Sequence, residues 1–255
     1  MKLLFLGDVV GSAGVRFVKD KLWKLKRDYS IDLTVINGEN SAQGNGITPD
    51  SFEQLIRVGA DVISTGNHCF RRKEIMPLYE SRDILLRPAN YPEGVTGHGT
   101  VTVDLGRARV TVINLLGTVY LDSLDNPFTV VDKLLSECDT PNIIVDFHAE
   151  ATAEKKAMGF YLDGKVTAVL GTHTHVQTAD ETVLPGGTAY ITDVGMTGPE
   201  VSVLGVQKEL AIKKLREHCP VSFKESDSPC FLNGVIVTFN ERTGRAESIE
   251  RIIIR

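Results

Sequence analysis

The sequence predicts a mixed α/β fold in which two β-sheets are flanked by helices. Two observations lead there. The first part of the chain alternates short apolar runs with helix-period segments, whereas from Gly99 onward hairpin-like β segments become frequent. The early alternation by itself fits a doubly wound parallel sheet, but the later hairpins require antiparallel pairing as well. Successive apolar runs also end in polar residues, and in open α/β sheets ligands gather outside the carboxyl ends of the strands.

Taken in order, Leu3 to Leu6 reads as a strand ending at Gly7-Asp8. From Val15 the apolar positions Val15, Phe17, Val18, Leu22 and Leu25 carry helical spacing. Ile31 to Ile36 reads as a buried strand, Asn37-Gly38-Glu39-Asn40 as its exit loop, and Thr48-Pro49-Asp50 as a helix start with Thr48 as N-cap and proline in the first turn. Asp61 to Ser64 is a third strand, and Thr65-Gly66-Asn67-His68 is its loop. Thr100 to Val103 alternates, Gly106-Arg107 is a turn, and Val110 to Leu115 returns as the partner strand. A helix over Pro127 to Glu137 leads to a buried strand, Asn142 to His148, and a helix over Ala151 to Tyr161 follows. Val166 to Leu170 then delivers Gly171-Thr172-His173-Thr174-His175. Ala189 to Thr192 is a strand, Gln207 to His218 an amphipathic helix, and Val235 to Phe239 with Ser248 to Ile254 a closing antiparallel pair.

A chain of 255 residues with 42% hydrophobic content is long enough for a large core, and a single domain over residues 1–255 is expected. The net charge of -5 argues against duplex nucleic acid or an anionic membrane as partner. The opening MKLLFLGDVV is too short and too interrupted for a signal peptide or membrane span, so a cytoplasmic protein is expected. Cys69, Cys138, Cys219 and Cys230 show no CxxC spacing and are expected as reduced thiols.

The chemistry sits at the strand ends. Residues i and i+2 of an extended segment project to one side, so His173 and His175 can aim two imidazoles at one spot. Collecting the other ends adds Asp8, Glu39, Asn40, Asn67, His68 and His148, which places four of the six histidines in one set. Oxygen and imidazole donors without thiolate suit iron, manganese or zinc, and disfavour both a structural zinc site and calcium. The donors exceed the needs of one ion. Taken singly, Asp8 serves equally well as a helix N-cap, Asn40 and Asn67 as turn residues, and His148 as a structural histidine. Several such coincidences at corresponding strand ends are far less economical than one shared site.

The order Asp8, Gly38-Glu39-Asn40, Gly66-Asn67-His68, His148 and Gly171-Thr172-His173-Thr174-His175 resembles the calcineurin-like metallophosphoesterases, and most closely their YmdB-type branch of bacterial cyclic-nucleotide phosphodiesterases. The resemblance spans nearly the whole chain. It departs from the wider superfamily at Val10, where a histidine is usual, at Glu39, where aspartate is usual, and at Cys69, where an acid commonly follows the histidine. The first two are features of the branch; the third leaves the group that orients His68 unidentified. What the resemblance implies is a four-layer αββα sandwich of two mixed sheets and two divalent or mixed-valence ions, iron first, with manganese or zinc as the other candidates. It assigns Asp8, Glu39, Asn40 and His175 to one ion, and Glu39, Asn67, His148 and His173 to the other. His68 is left to protonate or stabilise the leaving oxygen. The implied reaction is hydrolysis of 2′,3′- or 3′,5′-cyclic nucleotides by a water bridging the ions, and a homo-oligomer is plausible on the same ground.

Three other readings compete. A broad phosphomonoesterase keeps the site and changes the substrate. A regulatory metal-binding protein keeps the ions and makes hydrolysis incidental. A nucleotide-binding protein without hydrolysis would use the glycine-rich turn Gly7 to Gly14, which has neither the G-x-G-x-x-G spacing nor a P-loop lysine. Arg71 and Arg72 are the only substrate-side cations the motifs offer, and with Lys73 they read first as a solvated helix start. His98 reads as loop, and His218 as favourable to a helix C-terminus.

Overall fold

The computed structural model describes residues 1–255. One sheet has seven strands. It contains β1 (Lys2–Leu6), β2 (Asp8–Val9), β3 (Leu33–Asn37), β4 (Val62–Ser64), β11 (Met196–Pro199), β12 (Cys230–Phe239) and β13 (Ala246–Ile254), in the order β2-β11-β12-β1-β3-β4 with β13 paired to β12. The other has six: β5 (Thr100–Asp104), β6 (Arg109–Leu116), β7 (Ile143–His148), β8 (Ala168–Thr172), β9 (Thr182–Val183) and β10 (Ala189–Ile191), in the order β5-β6-β7-β8-β10-β9. Both are mixed. β1, β3 and β4 run parallel while β12 is antiparallel to β1, and β6, β7, β8 and β10 run parallel while β5 and β9 close the edges antiparallel.

The period of two along each strand builds the layers. In β1, Leu3 and Phe5 face the second sheet and pack with Val110, Val112, Ile144 and Leu170. Leu4 and Leu6 face the opposite way, onto α1 (Gly11–Tyr29) and α2 (Pro49–Arg57), against Val18, Leu22, Phe52 and Leu55. The second sheet does the same with Val145 and Phe147, which pack with Val131 of α4 (Pro127–Glu137) and Met158 of α5 (Thr152–Tyr161). The result is the four-layer αββα sandwich expected from the resemblance. No helix is long and apolar enough to cross a membrane.

Thr48 caps α2 as its sequence suggests, accepting from the Ser51 amide. Other elements depart from the reading. α1 begins at Gly11, four residues before Val15, because Gly11 (φ 63°) turns the chain into the helix beneath the Glu225 carboxylate, whose carbon would lie 2.3 Å from any Cβ there. Gly7 is likewise a close-approach residue: a Cβ would meet the Gly195 carbonyl oxygen at 1.9 Å. The glycine-rich turn is thus consumed by packing and is no phosphate cradle. β2, β9 and β11, and the short helix α3 (Met76–Ser81), carry no readable period, and β11 contains glycine and proline besides. β12 starts five residues before Val235, running through an Asn233-Gly234 pair that reads as a turn. Tertiary pairing overrides that signal: Gly234 lies opposite Leu6, where a Cβ would meet the Phe5 carbonyl oxygen at 2.9 Å.

Candidate metal centre

The two sheets bring their carboxyl ends to one place. The first supplies Asp8 from β2, Glu39 and Asn40 after β3, and Asn67 and His68 after β4; the second supplies His148 from β7 and His173 and His175 after β8. Asp8, Glu39 and His148 are completely buried, and Asn40 nearly so.

The donors fall into two groups that meet at Glu39. On one side, His148 Nε2 lies 3.2 Å from Glu39 Oε1, 3.1 Å from Asn67 Oδ1 and 3.0 Å from His173 Nδ1. Glu39, His148 and His173 each offer an atom close enough to share an ion. On the other side, Asn40 Nδ2 is 3.3 Å from Asp8 Oδ1, 3.3 Å from His175 Nε2 and 3.1 Å from Glu39 Oε1, while His175 Nε2 is 3.4 Å from Asp8 Oδ1. The Asn40 amide therefore points its NH₂ at two carboxylate oxygens and lies against the His175 ring nitrogen, which donates or accepts according to where its proton sits. Turned about its last torsion, the same amide would offer Oδ1 to a cation at that spot. Hard oxygen and imidazole donors converging in a buried space fit divalent ions.

The electrostatics agree with that fit. Burial pushes the Glu39 carboxyl up, but the charges and hydrogen bonds of His148 and His68 prevail and hold it well below the usual range. At Asp8 burial is likewise outweighed by His175. Burial lowers His148, yet Glu39, Asp8 and Asp146 bring it up to about 9, and Asp8 raises His175 in the same way. His173, held down by burial and by His148, goes the other way. Protons on buried imidazoles thus balance two buried carboxylates, and an ion that takes the site displaces them.

That exchange gives a pH prediction. A histidine raised from 6.5 to about 9 contributes stability that is complete below about 6.5 and lost as pH climbs toward 9. Asp146, pushed up by burial from 3.8 to about 6, has the same sign but acts below pH 6, so the difference between pH 6 and pH 8 falls to His148. Added manganese is therefore expected to raise the melting temperature more at pH 8 than at pH 6; a larger shift at pH 6 would contradict the exchange.

Several residues that motif reasoning passes over hold this arrangement. Asp146, buried on β7 two residues before His148, accepts from Ser64 Oγ (2.5 Å), Thr172 Oγ1 (2.7 Å) and Asn37 Nδ2 (3.0 Å), and Thr172 Oγ1 in turn meets His148 Nδ1 at 2.9 Å. Glu150 lies 2.9 Å from His173 Nε2. Such outer hydrogen bonds fix ring orientation and tautomer at metal sites. An aspartate inside an otherwise apolar strand was the one sequence signal for this hub. Beneath the histidine loop, Asp8 Oδ2 accepts from the His173 amide and Asp193 Oδ2 from the Thr174 amide, while Lys155 Nζ sits 2.7 Å from Asp193. Those anchors hold His173 and His175 at φ of 103° and 63°, a region costly for residues with a Cβ.

His68 is oriented by Glu39, the group the sequence left unidentified. Its Nδ1 lies 3.1 Å from Glu39 Oε1 and its backbone amide donates to Glu39 Oε2. Cys69 turns into the core, where burial pushes its thiol up to about 12, so it is no nucleophile. Arg71 is exposed, and Arg72 is committed to the carbonyl oxygens of Gln43 and Asn45 just before a 3₁₀ turn. Gly66 packs so closely that a Cβ would stand 2.2 Å from His148 Cδ2 and 2.4 Å from Glu39 Oε2. Gly66→Ala is expected to lower metal affinity about tenfold or more in a titration monitored by calorimetry; wild-type affinity would show that Glu39 and His148 are not held as described.

Comparison with known proteins places the chain. The profile of the family described as YmdB-like protein matches residues 4–252. A 2′,3′-cyclic-nucleotide 2′-phosphodiesterase of Bacillus subtilis is 48% identical over 256 residues, covering 100% of this chain and 97% of the relative. The crystal structure of a novel phosphatase from Mycoplasma pneumoniae superposes with a TM-score of 0.95 at 37% identity, covering 100% of this chain and 93% of that one. The calcineurin-like phosphoesterase YfkN of Bacillus subtilis, at 12% identity and a TM-score of 0.59 over 100% of this chain and 90% of that one, shares the fold.

Proposed function

The chain belongs to the YmdB-like family, and from that premise we propose that it is a dinuclear metal-dependent phosphodiesterase acting on 2′,3′- or 3′,5′-cyclic nucleotides. One observation carries the reading: the buried Glu39 carboxylate stands between two donor groups, its Oε1 within 3.2 Å of His148 on one side and 3.1 Å of Asn40 on the other. Asp8, Glu39, Asn40 and His175 would hold one ion, and Glu39, Asn67, His148 and His173 the other, with residues 1–255 acting as a single domain. Iron is the first expectation for both, then manganese or zinc. When bound, such a pair supplies a water acidified toward neutral pH and neutralises charge on the phosphoryl oxygens.

The chain's own groups do the rest. Asp146 and Glu150 fix the rings of His148 and His173, so those two imidazoles would meet an ion without reorganising, whereas the Asn40 amide would first turn its oxygen inward. His68 turns Nδ1 to Glu39 and holds Nε2 3.4 Å from Asn67 Nδ2; when Nε2 carries a proton, it is the group offered to the leaving oxygen. The Bacillus relative supports the diesterase substrate, whereas the phosphatase description of the Mycoplasma structure supports a phosphomonoesterase as second reading.

The purified protein, with manganese and with chelator, is to be assayed on 2′,3′-cyclic AMP, 3′,5′-cyclic AMP, bis-p-nitrophenyl phosphate and p-nitrophenyl phosphate. Metal-dependent turnover favouring the diesters is expected. Preference for the monoester would transfer the reading to a phosphatase, and no metal-dependent turnover at all would leave a regulatory metal-binding protein.

A further inference from the structure

A cleft of about 320 Å³ opens at His175, one of the candidate ligands, and runs along the first sheet. Its floor follows from strand register. Asp8 of β2 pairs with Met196 of β11, the next residue, Thr197, pairs with Leu232 of β12, and Asn233 pairs with Ile253 of β13. Cross-strand neighbours share a face, so Asp8, Met196, Asn233 and Ile253 form one row leading away from the metal centre. At ~4.8 Å per strand, Ile253 stands roughly 14 Å from Asp8. Arg251 and Arg255 flank Ile253 at the alternate positions of β13 and its end, so all three project to one side and line the cleft.

The two arginines are anchored without being saturated. Arg251 Nε lies 2.6 Å from Glu181 and Arg255 Nε 2.7 Å from Glu200, contacts that fix each guanidinium by one edge. No other hydrogen bond or ion pair within the protein reaches them, and their side chains are 33% and 66% exposed, so the Nη groups remain free to donate. Glu200 is the only acid lining the cleft, in a chain whose net charge is -5. Two guanidinium forks with open ends match the oxygens of a phosphate group. Between them and His175, the exposed side chains of Val176, Leu204 and Ile253 offer apolar surface to the sugar or ring that joins one phosphate to the next. A larger cleft of about 490 Å³ between α1 and α2 also has two arginines, but none of the candidate ligands lines it, and its Arg72 is engaged by the carbonyl oxygens of Gln43 and Asn45.

We infer that the cleft beside His175 is a second phosphate subsite, in which Arg251 and Arg255 receive a phosphate carried on the 5′ side of a ribonucleotide whose cyclic phosphate occupies the metal centre. The inference rests on the phosphodiesterase reading for the occupant of that centre. It narrows the substrate to 2′,3′-cyclic phosphates, because a 3′,5′-cyclic nucleotide has its 5′ oxygen closed into the ring and can carry no second phosphate there. The 5′ phosphate is a terminal monoester or the internucleotide diester of a short RNA strand, and both offer the arginines charged phosphate oxygens.

The test compares kcat/KM of the manganese-loaded protein for 2′,3′-cyclic AMP, for the same nucleotide bearing a 5′-phosphate, and for the dinucleotide adenylyl-(3′→5′)-adenosine 2′,3′-cyclic phosphate. The wild type is expected to prefer a substrate with the second phosphate by about tenfold or more, and added salt to diminish that preference. Which of the two is preferred separates the monoester from the internucleotide source. In the double variant Arg251→Gln with Arg255→Gln the ratio is expected to fall to near unity. Arg255→Gln alone, at a largely exposed side chain beyond the last strand, is expected to lower it too, so the test stands even where the double variant fails to fold. If the arginines only pinned β13, all substrates would decline in parallel; an unchanged ratio in the variants, or no preference in the wild type, overturns the subsite. Failure of the diesterase reading looks different, because cyclic nucleotides are then not hydrolysed at all. Calorimetry of the manganese-loaded protein with adenosine 3′,5′-bisphosphate and adenosine 3′-phosphate still decides the subsite: tighter binding of the bisphosphate, lost in the variants, supports it, and equal affinities overturn it.

Discussion

The His68→Ala variant is expected to hydrolyse cyclic nucleotides roughly 10²–10⁴-fold more slowly than the wild type while keeping its full metal content. The geometry separates His68 from the donors: its Nδ1 is turned to Glu39 Oε1 at 3.1 Å, and its side chain is 28% exposed, whereas that of His148 is fully buried. An imidazole that hydrogen-bonds a ligand carboxylate and faces the open side of the site can serve the leaving oxygen without holding an ion. The loss should be smaller with bis-p-nitrophenyl phosphate, because nitrophenolate departs readily without a proton. Elemental analysis alongside kcat for both substrates checks this. Loss of metal from the variant would make His68 a ligand and end its assignment as the proton donor.

Replacing Lys155 with methionine is expected to cost ~3–5 kcal/mol of folding stability, the usual penalty for leaving one member of a buried ion pair without the other. Lys155 and Asp193 have side-chain exposures of 0% and 1%, and the pair sits under the histidine loop, with Asp193 accepting from the amides of Thr174 and Gly195. A lone charge at Asp193 would draw in water or a proton and release the strained turn that carries His173 and His175. Urea denaturation of the metal-free protein measures the stability change, and manganese titration of the folded fraction measures whether the loop still presents its imidazoles. Lys155→Met with Asp193→Asn should regain part of the stability, since the unpaired charge is gone, but not the metal affinity, because one carboxamide oxygen cannot replace two carboxylate oxygens on two amides. A single variant as stable as the wild type would show that Asp193 does not depend on Lys155.

How much of this was legible depended on how local each cause was. The strands ending at Asn37, Ser64, His148 and Thr172 announce themselves by apolar runs that stop at polar residues, and the donors follow within a few positions. β2, β9 and β11 have two to four residues and no period, so nothing in their own sequence marks them; they exist because β12 offers an edge to β11, β11 one to β2, and β10 one to β9. Lys155 lies in Glu154-Lys155-Lys156, which reads as a solvated helix face, and it is buried only because Asp193 from a distant strand end meets it. Glu154 turns inward too, capping the amides of Thr118 and Val119. Asn233-Gly234 has turn chemistry and lies within a strand, because β1 and β13 pair with it from both sides.

The sequence by itself determined the layer pattern and the chemical type of the site, since both depend on residue identity and on periods of two or 3.6 within short windows. Only the tertiary structure decided that Glu39 joins two donor groups, that it orients His68 in place of an acid at position 69, and that Arg72 holds a loop. These are distances between segments many residues apart. They are set by strand order and register across two sheets, which no single stretch of the chain encodes.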